Sequence, residues 1–160
     1  MAGQVVILMG SKSDLDHVRQ ITAALSAFGV PFVQRVASAH KSVAHLLGIL
    51  ASYADAEGPL VFIGVAGRSN ALAGLVDANT PWPVITCPPV SASFGGADLF
   101  SSLRMPSGVA PAVVLEPANA ALAAAKILAV ADPALRAQIA AYQQEMTDSI
   151  VSADESLNLG

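Results

Sequence analysis

The alternation of two hydrophobic periods constrains this chain most. Five short runs, Val5–Met9, Phe32–Val36, Leu60–Val65, Val84–Thr86 and Ala112–Leu115, are nearly continuous in apolar or β-branched residues. A strand wetted on one side alternates polar and apolar residues, whereas a continuous run suits a strand covered on both faces. Between the runs the period changes. Val18, Ile21, Leu25 and Phe28 recur at spacings of three and four, and Gly29 follows as a helix C-cap. Val43, Leu46, Leu47 and Leu50 form a second helical stripe. Strands alternating with helices predict an α/β fold: a central parallel sheet with right-handed crossovers and helices on both faces, a three-layer αβα sandwich.

The last third is read differently. Ala118–Val130 is apolar on nearly every side, which predicts a helix fully buried or held at a subunit interface. Asp132-Pro133 then opens another helix, with aspartate as N-cap and proline at the first helical position. Its stripe is Ile139, Tyr142, Met146 and Ile150, facing either its own sheet or a neighbouring subunit. The chain of 160 residues is expected to form a single domain, 1–160, with about 131–160 as a C-terminal helical extension.

Composition excludes several classes. With 54% hydrophobic and 12% charged residues, the chain is too apolar for disorder, and some of its apolar surface is expected to be covered by other copies of itself. A formal charge of −4 removes the footprint of a nucleic-acid binder. The single cysteine, Cys87, allows no internal disulfide and reads as a buried strand-end residue, with a cis proline possible in Cys87-Pro88-Pro89. No apolar run approaches the roughly 20 residues needed to span a bilayer, and no leader pattern precedes Val5. A cytoplasmic protein without membrane contact is expected.

In an open parallel sheet, ligands bind where loops leave the carboxyl ends of the strands. Here those loops are Gly10-Ser11-Lys12-Ser13-Asp14, Ala37-Ser38-Ala39-His40-Lys41-Ser42, Ala66-Gly67-Arg68-Ser69-Asn70, and Cys87-Pro88-Pro89 with Ser91–Gly96. Of eight Lys and Arg residues, Lys12, Lys41 and Arg68 fall in these loops, and Arg104 lies in the polar segment Ser101-Ser102-Leu103-Arg104. Such cation placement in an acidic protein points to an anion, phosphate above all. Gly10–Asp14 has the chemistry: a glycine turn, serine hydroxyls and free N–H groups at a helix start. Ser13 with Asp16 also reads as a capping box.

His40 is the candidate for proton transfer, since imidazole titrates nearest neutrality and this one follows a strand beside Lys41. His17 and His45 lie within helical patterns and read as surface residues. The three histidines and Cys87 show no metal-ligand spacing. Gly67-Arg68-Ser69-Asn70-Ala71 lacks the last glycine of a nucleophile elbow, so a hydrolase triad is disfavoured. Asn70 would cap a helix over 71–78.

Taken together, Met9-Gly10-Ser11-Lys12-Ser13-Asp14, Ser38-Ala39-His40, Ser91–Gly96 and Met105-Pro106-Ser107-Gly108 resemble the aminoimidazole ribonucleotide carboxylase and mutase family, from Ile7 to about Val130. The resemblance implies a flavodoxin-like fold and a homo-oligomer, tetramer or octamer, with C-terminal helices packing on neighbouring subunits. It also implies a lyase of purine biosynthesis that carboxylates 5-aminoimidazole ribonucleotide at C4. The mutase branch, which rearranges a carboxyamino nucleotide, typically has arginine after Ser-Ala-His and a second histidine in the loop after the third strand. This chain has Lys41 and Val65-Ala66-Gly67-Arg68-Ser69-Asn70 there, so it resembles the CO2-using branch in its free-standing form. By that resemblance no ATP, metal or organic cofactor is needed. Gly10, Ser11, Ser13, Asp14, Ser38, Ala39, Gly67, Arg68 and Asn70 would bind substrate, with Ser11, Ser13 and Asp14 on phosphate and ribose. His40 would move the C4 proton, while Lys41 and Ser69 orient CO2 and stabilise the new carboxylate. Arg68 is left open between the phosphate, an ion pair and a neighbouring subunit. The alternatives are the mutase, a non-enzymatic nucleotide-binding module, which gives no reason for His40, and a flavin protein, which a colourless sample would count against.

Overall fold

The strands among the described residues lie in one parallel sheet of five. The structure is a computed structural model that describes residues 3–158. The strands are β1 Gln4–Met9, β2 Phe32–Val36, β3 Leu60–Val65, β4 Val84–Thr86 and β5 Ala112–Val113, and the helices are α1 Leu15–Ala27, α2 Val43–Ala51, α3 Leu72–Asp77, α4 Pro117–Leu128 and α5 Pro133–Leu157. The register runs Val5 to Phe32 on one side of β1 and Val5 to Val61 on the other. The strand order, β2-β1-β3-β4-β5, is flavodoxin-like, with the chain changing direction between β1 and β3.

Period-two alternation divides the core between the two faces of the sheet. Val5, Ile7 and Met9 of β1, with Val61, Ile63 and Val65 of β3, pack against Val18, Ile21 and Leu25 of α1, the alanines of α4 and the first turns of α5. Val6, Leu8, Leu60 and Phe62 pack on the other face against Leu46, Ile49 and Leu50 of α2 and Leu72, Ala73 and Val76 of α3. Each fully buried large apolar side chain contributes about 1.5–3 kcal/mol. Phe62 adds an edge-to-face contact with Tyr53, ring centroids 5.8 Å apart.

Local signals explain the helix ends. Gly29 takes φ +64. Its N–H donates to Ser26 O while that of Val30 donates to Leu25 O, the double bond of a Schellman ending. At α5 the Asp132 Oδ1 accepts from the N–H groups of Ala134 and Leu135, both at 3.0 Å.

Several expectations are corrected. The buried face of α2 is Leu46, Ile49 and Leu50, while Val43 and Leu47 are exposed. In α4 one face is buried, through Ala120, Ala121, Ala124, Ala125 and Leu128; Lys126 and Ile127 face outward, and Val130, just beyond the helix, is exposed. β5 stops at Val113, and the described peptide bonds, including those before Pro88 and Pro89, are trans. The α5 stripe divides. Leu135 and Ile139 join the core and Tyr142 meets Phe28 edge-on at 5.3 Å, but Met146, Ile150, Val151 and Leu157 are exposed. No helix among the described residues is long and apolar enough to cross a membrane.

Candidate active site

The carboxyl ends of β1, β2, β3 and β4 converge on one crevice at the point where the sheet reverses direction. Backbone bonds draw the loops together: Gly10 N donates to Val65 O, Ala37 N to Met9 O and Cys87 N to Gly64 O, at 2.9–3.0 Å. A Cβ on Gly10 would lie 3.3 Å from the Ala66 Cβ, so the loops after β1 and β3 approach closely and a side chain there would push Ala66 away by a few tenths of an ångström. The crevice encloses about 590 Å³ and is lined by Gly10, Ser11, Ser13, Asp14, Ser38, Ala39, His40, Lys41, Gly67, Arg68 and Ser69, with Ala66, Ala71, Leu72, Pro89, Val90 and Ser91 completing it.

The first loop is a capping structure shifted from the expected one. Ser11 and Asp14, rather than Ser13 and Asp16, form the box: the Ser11 Oγ accepts from Ser13 N at 3.2 Å, and Asp14 Oδ2 accepts from Ser11 N at 3.1 Å. The Ser11 and Ser13 hydroxyls are 3.0 Å apart, so two hydroxyls and a carboxylate share one rim. Burial pushes the Asp14 carboxyl above its ordinary value, against the Ser11 N–H bond and the nearby His17 and Arg68.

The second loop turns on Ser38. Its Oγ accepts from the N–H groups of His40 and Lys41 at 3.3 and 3.2 Å, and its own N–H donates to Ser42 Oγ at 2.8 Å. This local turn presents exposed His40 and Lys41 side chains at the mouth of the crevice. In the third loop Arg68 takes φ +59, a left-handed conformation uncommon for a side chain of this size. Arg68 and Ser69 line the same crevice.

Three expectations change. Asn70 does not line the crevice and does not cap α3, whose N-cap is Ala71; it is 4% exposed, and its Nδ2 donates to Thr86 Oγ1 at 2.8 Å and Ser102 Oγ at 2.9 Å. Lys12 and Arg104 do not line the crevice, so the cations at the site are Lys41 and Arg68. His17 is half-buried rather than on the surface. Its Nε2 lies 3.3 Å from Cys87 Sγ, and that thiol reaches Leu115 O at 3.5 Å. Burial holds the imidazole below its usual value, against the pull of Cys87, Asp14 and Glu116, and pushes the Cys87 thiol up to about 12, with Glu116 adding to the rise.

The sequence reading missed the His17–Cys87 contact, although helical spacing held the signal: His17 lies four residues before buried Ile21. It also missed the tie that Ser101 makes to Arg68 and Asn70, 33 and 31 residues earlier. Among the described residues no cluster of three or more His, Cys, Asp or Glu side chains is arranged to hold a metal ion. The chemistry left to the crevice is that of an exposed imidazole, two cations, several hydroxyls and a carboxylate around a ligand-sized space.

Comparison with known proteins gives the site its setting. Residues 4–149 match the family model described as AIR carboxylase, reaching beyond the Val130 limit of the resemblance read from the sequence. Over 154 residues the chain is 53% identical to the phosphoribosylaminoimidazole carboxylase of Archaeoglobus fulgidus, covering 96% of this chain and 84% of that one. It is 42% identical to the bifunctional phosphoribosylaminoimidazole carboxylase/phosphoribosylaminoimidazole succinocarboxamide synthetase of Rattus norvegicus, covering 96% of this chain and 36% of that one. A crystal structure of Treponema denticola PurE superposes with a TM-score of 0.95 at 44% identity, covering 97% of this chain and 98% of that one. With the family model spanning all five strands and their loops, this chain belongs to the AIR carboxylase family of purine-biosynthesis enzymes.

Proposed function

We propose that the chain carboxylates 5-aminoimidazole ribonucleotide at C4 with free CO2, without ATP, giving 4-carboxy-5-aminoimidazole ribonucleotide, and that it works as a cytoplasmic homo-oligomer of one-domain subunits. The observation that carries the reading is the single crevice that holds both a phosphate-type loop, Ser11–Asp14, and the His40-Lys41 pair beside Arg68 and Ser69. In this reading Ser11, Ser13 and Asp14 take the phosphate and ribose, the Asp14 carboxylate suiting ribose hydroxyls. The ring carbon C4, made nucleophilic by the amino group, attacks the carbon of CO2. The electron pair of one C–O π bond moves onto that oxygen of CO2, forming a carboxylate whose charge Lys41 and Ser69 stabilise. The intermediate still carries the C4 proton; neutral His40 accepts it, the C–H electrons return to the ring, and aromaticity is restored.

The stretch Ala66–Ala71 contains no histidine, and Lys41 follows His40. The archaeal and rat relatives both carry carboxylase in their names. The assembly is supported by the exposed Met146, Ile150, Val151 and Leu157 on α5, apolar side chains a lone subunit leaves in water.

His40→Asn tests the proton role. Turnover is expected to fall about 10²–10⁴-fold while the ribonucleotide binds as before. A variant with turnover near that of the parent would remove His40 from the mechanism.

A further inference from the structure

Ser69 stands between two peptide groups that are both held by one side chain from a distant loop. Ser101 lies on the 3-10 segment Ser93–Ser102, which follows β4 and is broken at Phe94, Gly95 and Gly96 by φ values of +51, +61 and +82. The Ser101 Oγ donates to Arg68 O at 2.9 Å, sharing its proton with Asp98 O at 2.7 Å, and accepts from Asn70 N at 3.0 Å. One hydroxyl therefore grips the residue before Ser69 and the residue after it. The gripped turn includes Arg68 in its left-handed conformation, which persists only where its surroundings over-determine it. The other wall of the crevice is tied to the same point. Ser91, which lines the crevice, donates from its Oγ to Asp98 Oδ2 at 2.9 Å, and the Asp98 carbonyl is the second acceptor of Ser101.

We propose that Ser101 is a positioning residue for CO2 capture: it fixes the Ser69 hydroxyl and the Arg68 side chain relative to the Ser91 wall without itself entering the crevice. The inference rests on the reading that Ser69 orients CO2. Two features set it apart from ordinary loop packing. The bonds go to the backbone on both sides of one candidate residue, and Ser101 is absent from the crevice lining. Loss of the hydroxyl should loosen the Arg68–Asn70 turn while leaving the Ser11–Asp14 loop, on a different strand end, untouched. Small displacements of a group that holds and orients a reactant are costly, and here the cost falls on the capture of CO2 rather than on the ribonucleotide.

The test is steady-state kinetics with CO2 and the ribonucleotide varied separately, in the full chain, for Ser69→Ala, Ser101→Ala, Ser101→Thr and the double variant Ser69→Ala/Ser101→Ala. For Ser101→Ala we expect KM for CO2 to rise about tenfold with KM for the ribonucleotide unchanged. Ser101→Thr, which keeps the hydroxyl, should restore the parent value. The double variant should match Ser69→Ala, because both changes act through one group. If Ser69→Ala leaves the CO2 requirement unchanged, the reading of Ser69 is wrong and the proposal falls with it. If Ser69→Ala raises that requirement and Ser101→Ala does not, the role of Ser101 alone is overturned. Equal losses in both KM values, or additive losses in the double variant, would make Ser101 a general structural residue and also overturn it. Should Ser101→Ala not fold, Ser101→Cys, which keeps the volume but weakens the donor, is held to the same criteria.

Discussion

Replacing Asn70 by alanine should destabilise the protein through a polar network sealed behind the crevice. Asn70, Thr86 and Ser102 are 4%, 0% and 1% exposed, and the two Nδ2 bonds, 2.8 and 2.9 Å long, are the contacts of the hydroxyl oxygens with this amide. Each bond is worth about 1 kcal/mol net, and each buried oxygen left without its donor adds a desolvation cost of about 1 kcal/mol or more. Against this, alanine removes the Asn70 Oδ1, a buried acceptor with no partner among the described residues. The balance is a loss of about 2–3 kcal/mol, or a fall in Tm of about 5–10 °C for a domain of this size. Urea denaturation at one fixed protein concentration measures it. The discriminating variant is Asn70→Ala/Thr86→Val/Ser102→Ala, in which donor and acceptors vanish together. Since a network removed whole is far less costly than one left half-satisfied, the triple variant should recover at least about half of the single variant's loss. A single variant within about 0.5 kcal/mol of the parent, or a triple variant less stable than the single one, would refute the reasoning.

His17 should make stability pH-dependent on the acid side. Its folded-state value lies below the ordinary 6.5, so the unfolded chain takes up the proton first. The stability contributed by neutral His17 is complete above about 6.5 and is lost as the pH falls through the lower folded value. Asp14 acts in the opposite sense: its folded value is raised above 3.8, so its contribution is present below 3.8 and lost as the pH rises through the folded value. His17→Gln should therefore show a smaller drop in Tm between pH 8 and pH 5.5 than the parent, and identical profiles would contradict the assignment. Cys87 is fully buried with its thiol pushed up to about 12, so a thiol reagent should label it only on unfolding; rapid stoichiometric labelling of the native protein at pH 8 would contradict its placement.

Strand positions were legible because both faces of this sheet are covered, and a doubly covered strand declares itself by continuous apolar character. β3 and β4, buried along their whole length, occupy the ranges expected from the runs alone, as does β2, an edge strand that is only partly covered, while β5 ends at Val113. The face of α2 was not legible for the same reason in reverse: nearly every residue of Val43–Ala51 is apolar, so periodicity cannot select a face, and packing against Phe62 and Leu8 decides it. The crevice followed from topology, since residues after parallel strands must meet at one sheet edge. What lay hidden depended on contacts between distant segments. Ser101 is 33 residues from Arg68 and Asn70 is 16 from Thr86, and neither spacing carries a local period. The left-handed turn at Arg68 also redirected Asn70 from the expected cap into the interior, which no pattern of residue types announces.

The central claim is tested most directly by supplying 5-aminoimidazole ribonucleotide with bicarbonate-derived CO2, without ATP, beside a parallel assay on the carboxyamino nucleotide. The account expects the C4-carboxylated nucleotide to form in the first assay at a rate that rises with CO2. Turnover of the carboxyamino nucleotide alone would make this chain a mutase and contradict the account.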